Sequence, residues 1–221
     1  MPDRPPAPTR HPIELRTALR LYIATDRALA GGRSLCDLVA AALRGGASAV
    51  QLRDKEATAR ETLALGARLR VLTREYGALF IVNDRTDLAL ALDADGVHLG
   101  QDDLPVASAR RILGPGAVIG ISTNTPEEAR RAQEDGASYV GVGPAYRTAT
   151  KANTRTLLGP PHIALVRAAT RLPVVAIGGI TAAGVSALRL AGVDGICVIG
   201  AVMSAPDPEA ATRALAVAWP R

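Results

Sequence analysis

The sequence predicts a single α/β domain closed as a (β/α)8 (TIM) barrel, and three observations predict it. Eight short aliphatic or β-branched runs alternate with longer helical stretches. A similar Gly- or Asp-containing junction precedes every second run. The length of 221 residues suits one such barrel, which needs roughly 200 residues or more, and leaves no room for a second full domain.

Taken in order, Met1 to Pro12 carry five prolines and little apolar content, so a flexible tail is expected over residues 1–14, with the barrel domain at 15–221, from Leu15 on. The first run is Arg20 to Thr25, followed by the helical stretch Leu35 to Arg44 and the second run, Ala49 to Arg53. The helix Arg60 to Tyr76 leads to the third run, Leu79 to Asn83; the fourth is Gly96 to Leu99 and the fifth Val118 to Ser122. After the helix Pro126 to Asp135 come Tyr139 to Val142, Val174 to Ile177 and Gly195 to Ile199. One helix between successive strands is the pattern of repeated right-handed βαβ units. The recurring junctions are Gly45-Gly46-Ala47-Ser48, Asp93-Ala94-Asp95-Gly96, Asp135-Gly136-Ala137-Ser138 and Ala191-Gly192-Val193-Asp194, ahead of strands two, four, six and eight. This regularity favours a closed barrel over an open doubly wound sheet of five or six strands.

Composition narrows the function. The chain is 48% hydrophobic and 21% charged with few aromatics, as expected where short aliphatic side chains pack strands against helices. The net charge of +5 is spread along the helices without interleaved aromatics, which argues against nucleic acid. No apolar run approaches the ~18 residues that span a bilayer, so a soluble, cytoplasmic protein is expected. Cys36 and Cys197 have no partners at metal-ligand spacing and read as small core residues. Of the 26 basic residues only Lys55 and Lys151 are lysines, and both fall inside motifs at strand ends.

In such a barrel the active site lies at the C-terminal mouth, and these strand ends are rich in polar groups. Strand two ends in Gln51-Leu52-Arg53-Asp54-Lys55, where a period of two sets Gln51, Arg53 and, if the alternation continues, Lys55 opposite Leu52. Asn83-Asp84 end strand three and Asp102-Asp103 follow strand four. Neighbouring strands lie about 4.8 Å apart, so Asp84 and Asp103 could share one Mg2+, although either aspartate taken alone reads more readily as a helix cap than as a ligand. Ser122 closes strand five, left free for the mouth because Thr125, Pro126 and Glu128 supply the cap and capping box of the next helix. The loop after strand six places Thr148, Thr150 and Lys151 where a phosphate or diphosphate could be gripped. Gly178-Gly179 and Gly200 follow strands seven and eight, where barrels of this class commonly seat a phosphate on backbone N–H groups. His98 reads as an inward-facing histidine satisfied by a neighbour, and no Ser-His-Asp or Cys-His arrangement appears. The site is built to hold anions and a divalent cation more than for acid-base or covalent work.

Together, Gln51-x-Arg53-x-Lys55, Val82-Asn83-Asp84, Gly96-Val97-His98-Leu99-Gly100-Gln101-x-Asp103, Gly120-x-Ser122, Thr148-x-Thr150-Lys151 and Ala176-Ile177-Gly178-Gly179-Ile180 resemble the motif set of the thiamine-phosphate synthase family. The resemblance runs in order from about Arg20 to Ala201. It implies condensation of 4-amino-2-methyl-5-pyrimidinylmethyl diphosphate with a hydroxyethylthiazole or carboxythiazole phosphate, giving thiamine phosphate and pyrophosphate by a Mg2+-dependent dissociative substitution. It further implies that Gln51, Arg53, Lys55, Asn83, Ser122 and Lys151 bind the pyrimidine diphosphate and that Asp84 and Asp103 hold Mg2+. Thr148, Thr150, Gly179, Ile199 and Gly200 would bind the thiazole phosphate, and Arg53, Lys55, Lys151 and Ser122 would act on the reacting groups. The implied partners are these small molecules, without nucleic acid or membrane, and a homo-oligomer is compatible.

Two positions depart from the family pattern: Asn124 stands where histidine is common, and Gly200 where serine is usual. A thiazole tautomerase of similar fold would need neither a diphosphate grip nor paired aspartates. A non-catalytic barrel sensing a phosphorylated ligand would keep the late glycines and lose the metal pair.

Overall fold

The structure, a computed structural model, describes residues 12–147 and 157–220. Residues 1–11 of the expected tail, and Thr148, Thr150 and Lys151, lie outside the described residues. The elements in chain order are α1 (Pro12–Ala18), β1 (Leu21–Ala24), α2 (Leu35–Arg44), β2 (Ala49–Leu52), α3 (Ala59–Glu75), β3 (Leu79–Asn83) and α4 (Thr86–Ala91). They continue with β4 (Gly96–Leu99), α5 (Val106–Leu113), β5 (Val118–Thr123), α6 (Pro126–Glu134), β6 (Tyr139–Val142) and α7 (Gly159–Ala168). The last are β7 (Val174–Ile177), α8 (Val185–Leu190), β8 (Gly195–Val198), α9 (Gly200–Met203) and α10 (Pro208–Ala218). The eight strands pair in sequence order, all parallel, and β8 closes on β1.

Helix ends follow local chemistry. Thr58 and Thr125 cap α3 and α6 in reciprocal capping boxes with Glu61 and Glu128, with Pro126 at the first helical turn. The helix α1 begins at Pro12, ahead of the start expected near Leu15. Its Leu15 and the following Leu19 are buried among Leu79, Val118 and Val175, so this segment plugs the N-terminal end of the barrel.

Two apolar layers result. Outward-facing strand residues such as Val50, Leu52, Phe80, Val97 and Val140 pack against the helices, including Leu35, Leu38, Val39 and Leu43 of α2. Burying each such side chain contributes roughly 1.5–3 kcal/mol. Inward-facing residues form a second cluster of Tyr22, Ala49, Leu79, Ile81, Tyr139, Val175 and Cys197. Large and small residues interdigitate there: Gly120 pairs in register with Tyr139, and a Cβ at Gly120 would fall inside the Tyr139 ring, 2.5 Å from its Oη.

The recurring junctions prove to be staples. At each one a residue takes the left-handed conformation: Gly46, Asp93, Gly136 and Gly192 have φ of 104°, 50°, 83° and 77°. The short polar residue two positions on then accepts a hydrogen bond from the backbone of the preceding strand. Leu21 N donates to Ser48 Oγ at 3.0 Å, Phe80 N to Asp95 Oδ2 at 2.8 Å, Ile119 N to Ser138 Oγ at 3.0 Å and Val174 N to Asp194 Oδ2 at 2.8 Å. Each even strand is thereby tied to the odd strand before it at the end of the barrel remote from the mouth.

Candidate active site at the barrel mouth

A cavity of about 610 Å³ opens at the C-terminal ends of the strands. Seven of the residues expected to bind substrate line it: Gln51, Arg53, Asn83, Ser122, Gly179, Ile199 and Gly200. Lys55, Asp84 and Asp103 form a separate cluster at the rim, where Lys55 Nζ stands 3.9 Å from Asp84 Oδ2.

The register explains the first group. Gln51 pairs with Ala24 on one side and Ile81 on the other, inward-facing like them. Its Nε2 donates to Tyr22 Oη at 2.9 Å. Arg53, one step beyond β2, is half-buried; its Nη1 donates to Asp26 Oδ2 at 2.8 Å and its backbone N to Thr25 Oγ1 at 2.9 Å. Asp26 also accepts from Leu29 N at 3.2 Å, so the guanidinium is aimed by a carboxylate that is itself fixed by the turn after β1.

His98 faces inward on β4, with Nδ1 2.9 Å from Tyr139 Oη and Nε2 3.0 Å from Ser122 Oγ. Tyr139 Oη lies 3.1 Å from Tyr22 Oη. The result is a continuous line across the barrel floor, Gln51–Tyr22–Tyr139–His98–Ser122. The histidine is satisfied by neighbours, as the sequence suggested. Burial pushes both phenols well above the ordinary tyrosine range, so they stay protonated at neutral pH.

Asp84 continues the β3 ladder by one bond, its N donating to His98 O at 2.8 Å, and then turns in the left-handed region with φ 60°. Neither rim aspartate is a helix cap: the α4 cap position is Arg85, the α5 cap position is Pro105, and neither makes a side-chain cap bond. Asp103 Oδ2 accepts from Gly100 N at 2.6 Å, which holds it in the loop after β4. Burial, and then the adjacent Asp103, push the Asp84 carboxyl above the usual carboxylate range. Two carboxylates brought together at a polar rim, with one ammonium 3.9 Å away, fit a small divalent cation held partly by other ligands. Among the described residues no third His, Cys, Asp or Glu joins them.

The opposite wall is made of backbone. Gly178 and Gly179 take φ of 99° and 64° in succession. A Cβ at Gly178 would lie 2.7 Å from Pro144 Cα, and one at Gly143 would run into the carbonyl of Ile177. The described part of the β6 loop is drawn across by these glycines: Ala145 N donates to Ile177 O at 2.8 Å, Tyr146 N to Gly178 O at 3.0 Å, and Tyr146 Oη to Gly184 O at 2.6 Å. Helix α9 begins directly after β8, and Gly200 and Ala201 at its start line the cavity. Asn124 lines it too, and His162 Nε2 meets Asn124 O at 2.7 Å.

Tyr22, Tyr139 and Asp26 were missed in the sequence. The usable signal was Gly120, because a glycine in mid-strand marks the close approach of a bulky neighbour. Asp26 gave none beyond its place after the first strand.

Comparison with known proteins agrees with the architecture. A profile of the family described as thiamine monophosphate synthase matches residues 21–202. A thiamine-phosphate synthase of Roseiflexus castenholzii is 50% identical over 96% of this chain and 94% of its own length. That of Moorella thermoacetica is 48% identical over 88% and 93%. The solved thiamine phosphate pyrophosphorylase from Pyrococcus furiosus superposes with a TM-score of 0.83 at 44% identity, covering 91% of this chain and 95% of that one. A 3-hexulose-6-phosphate synthase, at 16% identity and a TM-score of 0.66, shares the fold alone.

Proposed function

The chain belongs to the thiamine monophosphate synthase family, and from that premise we propose how its mouth carries out the transfer of a pyrimidinylmethyl group from its diphosphate to a thiazole phosphate. The product pair is thiamine phosphate and pyrophosphate. The observation that supports the reading is the placement of two unlike sets of groups about one mouth, charged side chains on one side and exposed backbone on the other. Arg53, Lys55 and the Asp84–Asp103 pair gather on the β2–β4 side, and the left-handed Gly178–Gly179 turn and the start of α9 stand on the β7–β8 side.

In this reading Arg53 binds the diphosphate, preset by Asp26, so little side-chain freedom is lost on binding. Lys55 reaches it from the rim, and Lys151, in the loop outside the described residues, completes the charge. Gln51, Asn83 and Ser122 hold the pyrimidine. Asp84 and Asp103 would hold Mg2+, which supplies neutralisation of charge building on the departing diphosphate. An electron-rich aminopyrimidine stabilises the cation left behind, so no strong base is required. Backbone N–H groups at Gly179, Ile199 and Gly200, with Thr148 and Thr150, hold the thiazole phosphate and so orient the ring nitrogen for attack. At position 200 glycine retains the backbone donor and lacks a hydroxyl, which weakens phosphate binding modestly. Small-molecule partners and a cytoplasmic setting belong to this proposal; among the described residues no helix is long and apolar enough to cross a membrane.

The test is to mix purified protein, Mg2+, the pyrimidine diphosphate and the thiazole phosphate, and to follow pyrophosphate and thiamine phosphate. Binding of both substrates without product would overturn the assignment.

A further inference from the structure

The line Gln51–Tyr22–Tyr139–His98–Ser122 joins a proposed ligand group on β2 to another on β5 through three residues given no role so far. Its protons can be counted. Each phenol owns one proton, an imidazole in its neutral form one ring N–H, and the Gln51 amide enters the line as a donor through Nε2. Tyr22 Oη already accepts from Gln51, and its own proton faces Tyr139 Oη at 3.1 Å. If Tyr139 donated to Tyr22 instead, the Tyr22 proton would be left to Cys197, its register partner on β8, whose sulfur is a weak acceptor. An unmet donor at a fully buried position is costly, so the first direction wins. Tyr22 then donates to Tyr139, Tyr139 donates to His98 Nδ1, and the His98 proton resides on Nε2 and is donated to Ser122 Oγ.

We propose that this one-way relay makes Tyr22, Tyr139 and His98 positioning residues: it fixes His98 as the Nε2–H tautomer and leaves the Ser122 hydroxyl to donate into the cavity, while Gln51 keeps its carbonyl as an acceptor. A ligand in the floor of the site must therefore present an acceptor to Ser122 and a donor to Gln51. An aminopyrimidine offers both. That consequence rests on the proposed function, whereas the tautomer does not, so the two are tested separately.

In kinetics, Tyr139→Phe removes the donor that sets His98 and should raise KM for the pyrimidine diphosphate about tenfold, the worth of roughly one hydrogen bond, leaving KM for the thiazole phosphate within about twofold. In a Ser122→Ala background the same change should add little, because the relay acts through Ser122. Equal weakening of both substrates, or full additivity, would mark a merely structural role and refute the coupling to the ligand. The relay itself is tested on the free protein by long-range 1H–15N correlation of the imidazole rings at neutral pH, with His98 assigned by elimination from His162→Gln and His11→Gln spectra. A protonated Nε2 and bare Nδ1 are expected at His98; a proton on Nδ1, on both nitrogens, or divided between the tautomers overturns the proposal.

Discussion

Replacing Gly120 by alanine is the smallest change that should damage the barrel floor. The added Cβ would stand 2.5 Å from Tyr139 Oη and closer still to its ring carbons, so the ring must move. Tyr139, the first residue of β6, is fully buried, and the move breaks its contacts to Tyr22 at 3.1 Å and His98 at 2.9 Å. Two hydrogen bonds at roughly 0.5–1.5 kcal/mol each and an overpacking cost of roughly 1–3 kcal/mol give about 2–6 kcal/mol in all. Against a total stability of roughly 5–15 kcal/mol that is a large fraction. Urea denaturation followed by circular dichroism should show a lower midpoint with an unchanged slope, and thermal melting should fall by roughly 10 °C. The mechanism has a second signature. In a Tyr139→Leu background the ring that the new methyl group would strike is gone, so the same substitution should cost under about 1 kcal/mol. Gly120→Ala within about 0.5 kcal/mol of the parent, or equally costly in both backgrounds, would show that steric conflict with Tyr139 does not set the glycine.

Other perturbations act at the rim. Asp84→Asn removes one of two mutually repelling carboxylates, so the metal-free protein should melt no lower than the parent, while the rise in melting temperature on adding Mg2+ should vanish; an undiminished rise would exclude Asp84 as a ligand. Because the folded-state pKa of Asp84 is raised, its contribution to metal-free stability is present below the ordinary aspartate pKa and lost as pH rises through the raised value. Protons should accordingly compete with Mg2+ at a higher pH than for an ordinary carboxylate, and calorimetric titration over that interval should show affinity increasing with pH. Arg53→Gln should raise KM for the pyrimidine diphosphate by tenfold or more, at roughly 1.5–3 kcal/mol for a charge-assisted bond, with Asp26→Asn giving a smaller change of the same sign in initial rates. A larger effect at Asp26 would mean that the carboxylate, and not the guanidinium, meets the substrate.

The strands were legible because a parallel strand covered on both faces is an unbroken aliphatic run, and the eight runs found in the sequence match β1–β8 to within a residue or so at each end. The same background exposed the site, since Gln51, Asn83 and Ser122 interrupt such runs with polar side chains that the barrel interior must accommodate. Lys55 was less well placed by periodicity, because the strand ends at Leu52 and its alternation no longer governs a residue exposed at the rim. Tyr22 and Tyr139 escaped notice for a different reason. A tyrosine suits a strand as well as valine does, and its hydroxyl becomes informative only beside partners far away in sequence, here Tyr22 with Tyr139, Gln51 with Tyr22 and His98 with Tyr139. Asp26 reads locally as a turn residue bonded to Leu29 N, and only the closed sheet brings Arg53 to its second oxygen.

The four polar staples beneath the strands divide the ring into couples: β1 with β2, β3 with β4, β5 with β6, β7 with β8. Where new chain ends could be introduced follows from this. Joining the present ends and reopening the turn at Gly114, between β4 and β5 with open space around it, keeps every couple within one continuous stretch of chain. Reopening at Gly31 and Gly32, in the β1–α2 connection, would send Leu21 and Ser48 to opposite ends of the permuted chain, so their staple could form only after the whole circle had closed.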